Sequence, residues 1–249
     1  MKKILFILAF LFSVIGFGQN DALFEQGKGL YKSEQFQEAI TVWMKVLNNN
    51  VHSSEIYFNL GNAHYKLSNV GPSIYYYEKA LQLSPNDSEI KNNLAFAQNA
   101  TVDAIEPLPK TVFSKWYTTI AEILSFDSWA MVSIVLSLSA IVLFLLYYFS
   151  YSEGKKRVFF VSSLGLFFVL LISIAMSYTT YNEAMKKNPA IIFAEISEIK
   201  SEPNLGSDAA FTLHEGTKVQ IISKEEDWAR IQLIDGKDGW IPLSDLKEL

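Results

Sequence analysis

Two stretches of 25 residues, Ser128–Ser152 and Val158–Asn182, carry no charged side chain, and only Glu153-Gly154-Lys155-Lys156-Arg157 separates them. About 20 mostly apolar helical residues cross a bilayer core of about 30 Å, with every backbone N–H and C=O bonded internally. Each stretch meets that requirement. The chain is therefore predicted to form a two-helix transmembrane hairpin, with spans at 128–150 and 158–180 and a loop at 151–157. Short loops rich in Lys and Arg stay in the cytoplasm, so the bend lies inside and both flanking regions lie together on the outer side. Lys110, Lys115, Lys186 and Lys187 also flank the hairpin, but farther from the spans and diluted by acidic residues.

The N-terminus points the same way. Lys2 and Lys3 precede an apolar run from Ile4 to Phe17 that closes on Gly16-Phe17-Gly18, the build of a signal peptide over residues 1–18. The expected location is the inner (cytoplasmic) membrane, multi-pass, with both soluble domains periplasmic. Removing the signal and hairpin leaves two regions, each long enough for one small domain. A net charge of -5 argues against nucleic acid, which demands a basic face. No cysteine is present, which removes disulfides, thiolate metal sites and a lipoprotein anchor. His52, His64 and His214 are scattered too widely to suggest zinc or a catalytic triad. Gly27-Lys28-Gly29 is too short for a phosphate loop and falls inside a helical pattern, so neither a cofactor nor enzymatic chemistry is expected.

The N-terminal region repeats itself. Gly27 and Gly61, Ala39 and Ser73, Trp43 and Tyr77, and Val46 and Ala80 are each 34 residues apart. With the run Ser54-Glu55-Ile56-Tyr57-Phe58-Asn59-Leu60-Gly61-Asn62-Ala63-His64-Tyr65 and the stop at Pro85, this pattern resembles the tetratricopeptide repeat. That family pairs antiparallel helices, with a small residue where they cross and a large aromatic in the second helix. The first unit departs from the pattern at Gln26 and Val51. The resemblance implies units at 20–53 and 54–87 and a capping helix at 88–99, with Ile90, Leu94 and Ala97 on its apolar face. Stacked repeats need about three units for independent stability. Two units and a cap are thus expected to dock on the following segment or on a partner.

By the same resemblance, the concave groove is lined by Phe24, Lys28, Tyr31, Lys32, Phe58, Asn62, Tyr65 and Lys66. It would hold a peptide segment, with Lys28, Asn62 and Lys66 able to clamp a carboxylate. His64 reads as a helix-packing residue. In the linker at 100–127, Phe113, Trp116, Tyr117, Ile120 and Leu124 fall on one face of an amphipathic helix. Its aromatics suit either a membrane interface or packing beneath the repeats.

From 188 the texture changes to short β patterns. Lys218–Ser223 and Trp228–Ile234 are split by Lys224-Glu225-Glu226-Asp227, and Asp235-Gly236 supplies a tight turn. Ala229, Ile231 and Leu233 alternate with Trp228, Arg230 and Gln232, so Trp228 travels with the polar face. Glu215-Gly216-Thr217-Lys218-Val219, Asp227-Trp228 and Gly236-Lys237-Asp238-Gly239-Trp240-Ile241-Pro242 together resemble the bacterial SH3 domain, over 188–249. The resemblance implies a binding module for cell-wall peptides or proteins, with Trp228, Trp240 and Pro242 as contact candidates. A tryptophan in so small a barrel tends to plug its core, so Trp240 is the weaker of the two.

The expected architecture is multidomain: an all-α tetratricopeptide-repeat array, a two-helix transmembrane hairpin and a C-terminal small all-β SH3-like barrel. That order resembles the BatE-like family of aerotolerance-operon membrane proteins of Bacteroidetes. It implies a membrane-anchored scaffold for protein–protein contacts in an envelope complex, with von Willebrand A-domain membrane proteins as partners. The alternative is an envelope sensor whose SH3 module binds peptidoglycan peptide. Besides the lipid bilayer, the expected partners are thus envelope proteins or peptidoglycan.

Overall fold

The computed structural model describes residues 20–109 and 111–249, so the signal-peptide segment 1–18 lies outside the described residues. The chain divides into two compact units, one combining residues up to Pro107 with Asn188–Leu249, the other spanning Leu108–Lys187.

In the first unit, the N-terminal part is five helices: α1 (20–32), α2 (Phe36–Asn48), α3 (Ser54–Lys66), α4 (Val70–Leu83) and α5 (Ser88–Gln98). The glycines mark where paired helices touch. A Cβ on Gly27 would lie 2.3 Å from Trp43 Nε1, and one on Gly61 would lie 2.6 Å from Tyr77 Cδ1. The same small-against-large contact therefore recurs in both units, and Trp43 and Tyr77 are buried by it. The Ser73 hydroxyl donates to Gly61 O at 2.9 Å, which ties α4 to α3 at the crossing. Turns within and between units close on left-handed residues, Glu34 (φ 61°), Asn50 (φ 58°) and Ser68 (φ 60°). Helix starts are capped by Ser53, which accepts from the Ile56 N–H, and Asp87, which accepts from the Glu89 and Ile90 N–H groups.

The C-terminal part of this unit is an antiparallel sheet of seven strands: β1 (Pro189–Ile192), β2 (Ile196–Lys200), β3 (Ala209–His214), β4 (Lys218–Glu225), β5 (Trp228–Gln232), β6 (Asp238–Pro242) and β7 (Leu246–Glu248). Their order is β3-β2-β6-β5-β4-β1-β7. Period-two alternation turns Val219 and Ile221, Ala229 and Ile231, and Gly239 and Ile241 into one core with Ile199 and Leu213. This is the all-β SH3-like fold expected from the sequence.

The repeats are covered by this sheet. Ile191 of β1 belongs to the buried cluster of the repeats, and Phe193 packs edge-on against Tyr75 of α4 with centroids 5.5 Å apart. Lys247 stands 4.8 Å from the Tyr75 ring centroid, and Lys218 pairs with Glu78 at 2.7 Å. The Gly71 N–H donates to Glu215 Oε2 at 3.2 Å, where an added Cβ would meet Ile192 O at 2.9 Å. Past α5 the chain stays on the sheet. Asp103 accepts from the His214 backbone N–H (2.7 Å) and the Thr217 hydroxyl (2.6 Å), and Ile105 packs on the β core. A short array that cannot bury its end by stacking finds its cover here.

The second unit holds α6 (Val112–Ala121), α7 (Phe126–Phe149) and α8 (Glu153–Lys186). Both α7 and α8 are long and apolar enough to cross a membrane. The link between them is residues 150–152, so Glu153–Arg157 occupy the first turns of α8. Small residues form their seam. The Ser133 and Ser173 hydroxyls meet at 2.9 Å, Ser173 donates to Trp129 O at 3.0 Å, Ser177 to Phe126 O at 3.1 Å and Ser163 to Ala140 O at 3.2 Å.

Candidate binding surfaces

The eight groove residues lie on the first helices of the two units, α1 and α3, but they differ in availability. Phe24, Tyr31 and Phe58 are half-buried supports packed on the helical core, with Tyr31 6.1 Å from the Trp43 ring and Phe58 6.0 Å from the Tyr77 ring. Lys32, Tyr65 and Lys66 are exposed. Lys28 is engaged by Glu25 at 2.8 Å and stands 5.3 Å from the Phe24 ring centroid. The Glu25 hydrogen bond raises its pKa. Asn62 Oδ1 accepts from the Tyr77 hydroxyl (2.6 Å) and the Asn93 amide (2.9 Å). Asn93 joins the surface from α5, and no spacing in the first two units announced it.

On the β module, Trp228, Trp240 and Pro242 share one face. Register pairs Trp228 with Pro242 and Arg230 with Trp240 across β5 and β6, and Lys200 of β2 also faces Trp240. Trp240 is half-buried and stands outside the β core. The inward sites on β6 belong to its neighbours, because a Cβ at Gly239 would come within 2.5 Å of Ile199 Cγ2 and Ile241 is fully buried. Arg230 Nε donates to Asp238 Oδ2 at 2.8 Å and Lys200 pairs with Glu198 at 2.8 Å, so the aromatic strip is edged by two ion pairs. Such a strip can take a peptide with an apolar body and polar flanks.

Where repeats meet sheet, titratable groups are shielded from water. His64 stacks on Tyr76 with centroids 5.4 Å apart and lies 3.4 Å from the Asn69 amide through Nδ1, so it does pack between helices. Burial, with the Lys247 charge added, pushes its pKa down to about 4. Burial also raises the Tyr76 phenol to about 12. Burial opposes the Asp103 charge, yet hydrogen bonds from Thr217 and from the His214 N–H and ring hold its carboxyl below the usual carboxylate range. A cavity of about 580 Å³ opens beside this carboxylate, between Gln98, Ile105, Gln220 and Leu233. Three distant segments build it, so the sequence carried no sign of it.

Two family models match the chain. Residues 54–87 match the tetratricopeptide repeat and residues 198–247 match the bacterial SH3 domain. No curated protein matches it. Both matched families are interaction modules, so the protein carries a repeat and an SH3 module suited to binding proteins or peptides.

Proposed function

We propose that this protein is a membrane-anchored scaffold that presents its repeat groove and SH3 strip together, on one side of a membrane, to envelope proteins. The observation that carries this reading is the docking of α4 on β1 and of Asp103 on His214 and Thr217. Parts joined in that way must lie on the same side of any membrane that α7 and α8 cross. An even number of spans between them meets that condition. Two modest sites on one anchor gain affinity through effective concentration when a partner reaches both. The positive charges of Lys155, Lys156 and Arg157, beside the link in the first turns of α8, support placing both modules in the periplasm of an inner-membrane protein. The domain order supports a place among the BatE-like aerotolerance proteins, with von Willebrand A-domain membrane proteins as partners.

The test is cross-linking of the tagged protein in native membranes, followed by identification of what is joined to each module. Membrane proteins captured at the groove, and lost with Tyr65→Ala, support the scaffold. The half-buried strip of Trp228, Trp240 and Pro242 favours a second reading, a wall sensor that binds peptidoglycan peptide. Wall fragments captured at the strip, with no protein at the groove, would establish that reading in place of the first. Sidedness is checked with single cysteines at Ser33, Gly154 and Ser244. Labelling of Gly154 from outside would overturn the topology.

A further inference from the structure

The linker helix α6 leaves large apolar side chains uncovered. Val112 is 65% exposed, Phe113 82%, Trp116 67% and Ile120 44%, and Ile123 just beyond the helix is 65% exposed. The helix is divided by sector. Tyr117 and Ala121 turn toward the hairpin, with the Tyr117 hydroxyl donating to Glu183 Oε1 at 3.0 Å and Trp129 Nε1 donating to Ala121 O at 3.3 Å. Phe113, Trp116 and Ile120 recur at three and four residues on a different side, and Lys115, Thr119 and Glu122 make the polar edge. In water a helix of 10 residues is marginal by itself, and this one would leave its largest side chains wet.

The two hydrogen bonds also fix its level. Glu183 is the first charged residue after the uncharged run of α8, and Trp129 lies in the first turn of α7, two residues after Asp127. If α7 and α8 span a bilayer, those positions mark the polar edge of the hydrocarbon. We infer that α6 lies in the plane of the membrane surface, with Phe113, Trp116 and Ile120 set among lipid headgroups and upper acyl chains. This rests on the spanning reading of α7 and α8. Tryptophan and phenylalanine suit that depth because aromatic rings tolerate the boundary between water and hydrocarbon. Lys115, Lys186 and Lys187 stand exposed around the same edge, where they attract anionic headgroups. The occupant of this face is lipid.

The absence of native cysteine makes the test direct. Single substitutions Phe113→Cys, Trp116→Cys, Ile120→Cys, Thr119→Cys, Leu138→Cys and Ser244→Cys are made in the full chain, spin-labelled, and reconstituted in nanodiscs of zwitterionic and anionic phospholipid. Collision with oxygen, which concentrates in lipid, is compared with collision with a water-soluble nickel chelate. Labels at 113, 116 and 120 are expected to favour oxygen several-fold over those at 119 and 244, at shallower depth than 138. Nickel-accessible labels at 113, 116 and 120, with 138 in lipid, would overturn the inference. So would labels there shielded from both reagents, which would mean that protein covers the face. A nickel-accessible label at 138 would instead bring down the spanning reading.

Discussion

The His64 imidazole is kept neutral by the Tyr76 ring and the neighbouring Lys247, and this has an acid cost. In the unfolded chain it takes up a proton below its ordinary value of 6.5, whereas in the fold it does so only near 4. Its contribution is therefore complete above pH 6.5 and is lost as pH falls toward 4, by up to about 3 kcal/mol. Thermal unfolding of the purified protein between pH 7 and 5 should show a falling Tm. His64→Gln should flatten that slope, and an unchanged slope would assign the effect elsewhere. Ser68 poses the opposite problem. Its φ of 60° is a conformation that glycine adopts freely, and it closes the helix end where the Asn69 N–H donates back to His64 O at 3.0 Å. Ser68→Gly should stabilise by about 0.5–1 kcal/mol, read as a rise of a few degrees in Tm.

Between elements, the crossings decide. Gly61→Ala would push a methyl into the Tyr77 ring at 2.6 Å and should cost about 1–3 kcal/mol, visible in denaturant unfolding as a lower midpoint with an unchanged slope. Asp103→Asn should loosen the linker from β3 and β4 by roughly 1–3 kcal/mol, because the carboxylate is largely buried and takes three bonds from His214 and Thr217. The native carboxylate contributes above the ordinary aspartate range, about pH 4, and is lost as pH falls below it, so this acid window lies under that of His64. Hydrogen exchange at 101–106 and 212–218 would report the loosening. The crossings were legible in the sequence because Gly27 with Trp43 and Gly61 with Tyr77 recur at one period, and α7 and α8 because two runs of 25 residues carry no charge. The sheet was legible only where alternation was strong, in β4 and β5. The Asp103 contact was not, since its partners are more than 100 residues away and Pro107 made the segment read as a spacer. The outward place of Trp240 was not legible, because alternation on β6 depends on Gly239, which packs against Ile199. On α1 and α3, the ties of Lys28 to Glu25 and of Asn62 to Tyr77 and Asn93 were not legible, because packing sets them.

For the whole molecule, the hairpin is an insertion into one folded body, since segments up to Pro107 and from Asn188 form a single compact unit. A water-soluble chain that joins residues 20–107 to 188–249 through a flexible Gly/Ser linker should therefore unfold in one transition, by both far-UV dichroism and tryptophan fluorescence. Residues 20–107 alone should unfold at lower temperature and bind a hydrophobic dye. Two separate transitions in the joined chain would refute the single body. The cover that β1 and β7 give to Tyr75, through Phe193 and Lys247, also has a meaning in time. During synthesis the repeats are complete before residues 188–249 have all emerged, by roughly 7 to 30 seconds at about 5–20 residues per second. Over that interval the α4 face lacks this cover. Closure of the repeats therefore waits on residues 188–249, whatever the chain does in between.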